Sequence, residues 1–200
     1  VTGTNVETGA AEQHAADDHA PLLALAFKVS LLDEKRRHVF VRVYSGRIAE
    51  GDEVWNANLG KKEKIARVLL MHAVQKKRMP SLGAGQIFAV VGLKETRTGD
   101  TLSHAGHPML LDRIGSYEPV ISQAIETASL RDRDLLLEAL ARIADEDPSF
   151  RFGEDAETGQ LLVSGMGELH LEIVAERVRR EFGLPVRTGQ PQVVMRETLT

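Results

Sequence analysis

The apolar residues of this chain keep two different periods, and that change constrains its architecture more than any other feature. Val39, Val41 and Val43 alternate with Phe40, Arg42 and Tyr44, the two-residue repeat of a strand with one buried face. After Glu118 the spacing lengthens. Leu136, Leu140, Ile143 and Ala144 share one helical face, as do Leu171, Val174, Val178 and Phe182. Two domains of different class are expected, joined by a linker at residues 106–117.

In the first, the runs "LLALAFKV", "HVFVRVYSG", "DEVWNANLG", "EKIARVLLMHA" and "GQIFAVVGL" are short and punctuated. The breaks fall at Ser45-Gly46, Glu50-Gly51-Asp52, Leu59-Gly60 and Thr98-Gly99-Asp100. Short strands at such spacing predict an all-β barrel over residues 21–105. In the second, "PVISQAIETA" predicts a strand and "DRDLLLEALARIADEDP" a helix stopped by Pro148. A hairpin turning near Glu157–Gly159 follows, then a helix over "ELHLEIVAERVRREFG" with Gly183 as its C-cap, then a strand from "PVRTGQPQVV". The order β-α-β-β-α-β predicts a ferredoxin-like αβ plait over 118–200. Residues 1–20 are polar and aperiodic, and are expected to be a linker without a core.

The 200 residues include no cysteine, so disulfides and thiolate metal sites are excluded. No run approaches the ~20 apolar residues a membrane-crossing helix needs, and the first residues have neither the basic nor the apolar part of a signal peptide. A soluble, cytoplasmic protein is expected. The net charge of −4 conceals a division, because residues 21–117 carry +7 and residues 118–200 carry −7, with all eight lysines in the first group. A basic barrel suits an RNA backbone. Lys35, Arg36, Arg37, Lys61, Lys62, Lys64, Lys76, Lys77 and Arg78 are the RNA-binding candidates, expected in loops or at strand ends.

The stretch "SGMGELHLEI" sets His170 between Glu168 and Glu172. On a helix, residues two apart point about 200° from each other, so the three side chains cannot converge on a metal. Gly165 and Gly167 precede a helix N-terminus, which favours anions. However, the P-loop pattern needs a Lys-Ser or Lys-Thr pair, and the chain has none. The stretch reads as a tight strand-to-helix turn, with Gly165 and Gly167 directing the helix, Glu168 favouring its N-terminus and His170 a surface or interdomain hydrogen-bonding group. The acidic run Asp145-Glu146-Asp147 reads as a solvated turn. No nucleophile with a visible base stands out, and no catalytic, cofactor-binding or metal-ligating residue is expected.

The segments "FVRVYSGRIAEGDEVWN", "VVGLKETRTGDTL", "LARIADEDPSFRF", "ETGQLLVSGMGELHLEIVAERVRREF" and "GQPQVVMRETL" together resemble bacterial elongation factor G, a translational GTPase. The resemblance runs in order over nearly the whole chain. It implies that residues 21–105 are the family's second domain, 118–200 its third, and 1–20 the connection from a GTPase domain. GTP and Mg²⁺ are implied for the full-length parent, while this stretch carries no cofactor. The implied partners are the ribosome, through small-subunit rRNA and ribosomal proteins, and the parent's GTPase domain; a monomer with no membrane partner is expected. Two stretches depart from the family. "LDEKRRH" stands where a D-P-x-x-G turn is usual, and "VQKKRMPSLGAG" is more basic than usual. A recycling or ribosomal-protection factor, and a standalone RNA or protein adaptor, are the alternatives.

Overall fold

The computed structural model describes residues 1–32, 36–72, 75–112, 118–127 and 129–191. The chain divides into two compact units, Val1–Ile114 and Gly115–Thr200.

The first unit is built of strands: β1 (Thr2–Asn5), β2 (Ala11–Gln13), β3 (Leu23–Leu32), β4 (Arg36–Ser45), β5 (Arg47–Ala49), β6 (Glu53–Asn56), β7 (Lys61–Lys64), β8 (Arg67–His72), β9 (Gln75–Met79), β10 (Ser81–Gly83), β11 (Ile87–Val91), β12 (Thr101–Ser103) and β13 (Met109–Leu110). Eight of them form one sheet in the order β7-β6-β12-β3-β4-β11-β8-β9, and β5 pairs with β10. The alternation on β4 works as the period requires: Val39, Val41 and Val43 are fully buried, with Phe40 and Tyr44 half-exposed and Arg42 exposed. They join Ala24, Val29, Val54, Val68, Phe88, Val90 and Leu102 in a single cluster. Because strands from both halves of the sheet feed that cluster, the sheet curls around it.

Residues 1–20 are not the coreless linker expected. β1 pairs with β2 and with β13, setting Thr4 opposite Leu110 and Asn5 opposite Met109. Met109 and Leu111, assigned in sequence to the linker at 106–117, are buried with Leu23, and Val1, Leu25 and Tyr44 pack against them. Backbone pairing is open to polar residues, so composition does not report it. Gly3 makes the approach possible, since a Cβ there would lie 2.8 Å from the Leu110 carbonyl oxygen. Further along, the Asp18 carboxylate accepts from the Ala84 amide (2.8 Å) and the Arg47 guanidinium (3.0 Å).

The second unit runs β14 (Ile121–Thr127), a 3₁₀ turn (Leu130–Asp132), α1 (Arg133–Glu146), β15 (Arg151–Glu154), β16 (Leu161–Gly165), α2 (Glu168–Phe182) and β17 (Val186–Gly189). All strand pairs are antiparallel, in the order β15-β16-β14-β17. Leu136, Ala139, Leu140 and Ile143 of α1 and Leu171, Val174, Ala175 and Val178 of α2 are buried with Ile125 and Val163 of the sheet. α2 ends at Gly183, whose φ of 70° is the left-handed conformation that frees carbonyls for capping. Among the described residues, no helix is long and apolar enough to cross a membrane.

Candidate nucleic-acid interface

The described basic residues all lie in strands: Arg36 opens β4 and Lys61 and Lys64 are the two ends of β7, the strand-end positions expected, whereas Arg37, Lys62, Lys76, Lys77 and Arg78 lie inside strands instead of in loops. β7 (Lys61, Lys62, Glu63, Lys64) and β9 (Gln75, Lys76, Lys77, Arg78, Met79) occupy the two edges of the eight-stranded sheet. An edge strand has one row of unpaired backbone groups, and lysines on it discourage another strand from adding. The same placement holds cations at the surface of the unit with their backbones fixed on one side.

Their partners separate them into groups. Lys61 pairs with Glu95, Lys62 with Glu53 (2.7 Å), and Arg78 with both oxygens of Glu50 (2.7 to 3.0 Å). Arg78 also holds the Glu50 carboxyl below its usual range. Lys64, Lys77 and Arg36 are exposed and form no ion pair among the described residues. Lys76 is exposed as well. Arg37 is half-buried and its guanidinium donates to the Thr96 carbonyl, so it supports a loop instead of facing solvent. Lys35 lies outside the described residues.

The turn at "SGMGELHLEI" is a packing element of the second unit. Gly165 ends β16, and a Cβ on it would lie 2.8 Å from both His170 Nδ1 and Leu171 Cδ2. Gly167 precedes α2 with an extended φ of 167° and nothing near the position of a Cβ. The requirement for glycine therefore falls on Gly165, and Gly167 does not share it. Glu168 opens α2, where its charge suits the positive end of the helix. The Met166 amide donates to His170 Nδ1 (3.1 Å), which leaves the ring proton on Nε2, facing Asp147 Oδ2 at 2.9 Å.

The acidic run is correspondingly not a solvated turn. Glu146 is bonded by Arg177 of α2 at 2.6 Å, and Asp147 by His170. Burial raises the Asp147 carboxyl, but the Ser149 hydroxyl and amide and the His170 ring outweigh it and hold the group below its usual range. Arg177 is held above the usual guanidinium range by Glu181 and Glu146 against its own burial. Among the described residues, no group of three or more His, Asp or Glu side chains is placed to hold a metal ion.

Two family profiles match the chain in succession: "Elongation factor Tu domain 2" over residues 36–103 and "Elongation Factor G, domain III" over residues 117–190. Elongation factor G 2 of Geobacter metallireducens is 48% identical over all 200 residues, and elongation factor G 1 of Geobacter sulfurreducens 50% over 184 residues, 92% of the chain. Elongation factor G 2 of Syntrophus aciditrophicus is 48% identical over 199 residues. The chain belongs to the elongation factor G family. It spans 27 to 29% of the length of these relatives.

In this elongation factor G segment, the domain 2 match contains every described candidate cation, and the domain III match contains the Gly165–His170 turn with its Asp147 partner. Sequence reasoning missed Glu63. Its carboxylate accepts from the amides of Lys94 (3.0 Å), Glu95 (2.8 Å) and Thr96 (3.1 Å), fixing the loop that Arg37 also touches. An acid alone within "KKEK" was the available signal, and it reads as charge balance until the loop's position is known.

Proposed function

We propose that this chain is the non-catalytic middle portion of an elongation factor G-like translational GTPase, acting in the cytoplasm on the ribosome and coupling GTP hydrolysis to translocation. The observation that carries the reading is the succession of the two matched families on one chain at 48 to 50% identity. In this reading the first unit is a barrel that docks on small-subunit rRNA and the second a ferredoxin-like plait. GTP and Mg²⁺ belong to the parent outside this segment, since no P-loop pattern occurs here.

The residues divide the work. Exposed Lys64 and Lys77 on the edge strands meet phosphates, and each phosphate neutralised releases counterions. The paired Lys61, Lys62 and Arg78 contribute less, because an acid already offsets their charge. The plait relays nucleotide state through its α1–α2 contact, which Asp147–His170 and Glu146–Arg177 hold and which Gly165 allows to sit close to β16.

The test is a ribosome titration across a salt series with the full-length parent carrying Lys64→Glu and Lys77→Glu. The double variant is expected to bind at least about tenfold more weakly, with the salt slope reduced by about 2. Unchanged affinity at both low and high salt would remove these strands from the account.

A further inference from the structure

Surface loops are ordinarily the more mobile parts of a fold, but the loop after β11, residues 92–100, is tied down along its length. Leu93 is buried in the core of the first unit. Glu63 on β7 accepts from the amides of Lys94, Glu95 and Thr96, and from the Thr96 hydroxyl at 2.7 Å. Asn56 on β6 is fully buried and donates to that hydroxyl oxygen (3.2 Å) and to Asp100 (2.9 Å). The Arg37 guanidinium on β4 donates to the Thr96 carbonyl. On β3, the Val29 amide donates to the Thr98 hydroxyl (3.2 Å), and the Ala26 carbonyl accepts from the Gly99 amide (2.7 Å). Four strands therefore hold one loop.

The start of the loop also lies against the end of β7. The Ala66 amide donates to the Val91 carbonyl at 2.7 Å, and a Cβ on Gly92 would lie 2.4 Å from the Lys64 carbonyl oxygen, so glycine is what lets the chain pass. Lys94 is thereby held at the end of β7 that carries Lys64. Lys94 is exposed and forms no ion pair among the described residues, whereas its neighbour Glu95 is engaged by Lys61.

We propose that Lys94 is a further phosphate-contacting cation of the first unit, and that Glu63 is its positioning residue, holding the loop so that Lys94 meets an RNA phosphate next to the one taken by Lys64. The proposal rests on the reading of this unit as an rRNA-docking barrel. Two cations fixed at one end of a strand suit a polymer whose charges are regularly spaced. A backbone that is already ordered also loses less freedom on binding. Charge alone predicts the opposite sign for Glu63. Removing an acid from a basic surface should tighten the hold on a polyanion, whereas removing the anchor of the loop should weaken it.

The test is ribosome titration across a salt series with the full-length parent carrying Lys94→Ala, Glu63→Gln or both. Lys94→Ala, a surface change, is expected to weaken binding about fivefold and to lower the salt slope by about 1. Glu63→Gln leaves an amide group facing the Thr96 amide and is expected to weaken binding about threefold; the double variant should bind as Lys94→Ala does, because the acid acts through that lysine. Glu63→Gln binding as tightly as the unaltered protein or more tightly, or an undiminished effect of it in the Lys94→Ala background, would overturn the proposal. Should Glu63→Gln fail to fold, Thr96→Val removes the hydroxyl between Glu63 and Asn56 without changing any charge; weaker binding is expected, and unchanged affinity would overturn the proposal. With the 200-residue chain and a short RNA duplex, followed by fluorescence anisotropy, Lys94→Ala should lower the slope by the same amount of about 1. Displacement of the duplex by oligoglutamate at matched charge would overturn the proposal in favour of an acidic protein partner. The Lys64 and Lys77 variant leaves Glu63 and Lys94 intact: its failure to weaken binding removes the docking reading, whereas weakening there without weakening by Glu63→Gln removes this proposal alone.

Discussion

Half-buried acids hold loop amides in both units, Asp155 doing so for Glu157 and Thr158 in the second, but only the second unit also uses them to join two helices. In the β unit, Glu63 bonds the amides of Lys94, Glu95 and Thr96, Asp52 the amide of Ala49 (2.7 Å) and Asp100 the amide of Arg97 (2.8 Å). In the α/β unit, Glu146 and Asp147 reach from the end of α1 to Arg177 and His170 on α2. The difference follows from the backbone. Strands joined by long loops leave loop amides needing acceptors, whereas helices satisfy most of their own amides and leave side chains to link one helix to another. Loop geometry in the first unit thus rests on backbone donors bonded to a charge, and helix pairing in the second on side-chain donors, the Arg177 guanidinium and the His170 ring, bonded to one.

The largest effects should come from the cores, where the two units ought to behave alike. Phe88→Ala and Leu140→Ala each remove a fully buried side chain, and losses of about 3 to 5 and about 2 to 5 kcal/mol are expected in urea unfolding. Hydrogen exchange should rise in the first unit for Phe88→Ala and in the second for Leu140→Ala. Accelerated exchange in both units from either change would show that they do not respond separately.

Glu63→Ala comes next. It strands three loop amides at once, and a loss of about 2 kcal/mol is expected, together with faster exchange at Lys94, Glu95 and Thr96. If salt alone reproduced this effect in the unaltered protein, the backbone role of the acid would be wrong. For Asp147 the variable is pH. Its carboxyl is held below its usual value in the folded protein, so its stabilisation is present above the unfolded value of about 3.9 and lost as pH falls through the folded one. Asp147→Asn should therefore flatten the acid limb of the stability curve while leaving its shape at neutral pH unchanged. An equally steep acid limb in the variant would assign it to other groups.

The turn is tested by a pair of changes, the second of which carries the smallest effect. Gly165→Ala brings a Cβ to 2.8 Å from His170 and Leu171 and should destabilise by about 1 to 3 kcal/mol. Gly167→Ser, in open space and extended backbone, should stabilise by a few tenths of a kcal/mol by capping α2. Equal destabilisation by both changes would return the requirement for glycine to both positions.

Much of the fold was legible because periodicity reports burial directly. The inward Val39, Val41 and Val43 and the buried faces of α1 and α2 stand where their spacing puts them. The candidate site was legible only in part. A run of lysines looks the same in a loop and in an edge strand, so "KKEK" and "QKKRM" revealed their charge and not their setting. The pairing of β1 with β13 was hidden for a related reason, since it uses backbone groups that every residue possesses.

Sequence alone determined the two classes of unit, the basic and acidic division, and the resemblance to elongation factor G, because each is a property of residue order. Tertiary structure decided which cations are offset by an acid and which glycine of the turn is required. The cations depend on acids brought beside them by strand pairing, and the glycine on how α2 folds back over the end of β16; neither exists until the chain has chosen its neighbours and register.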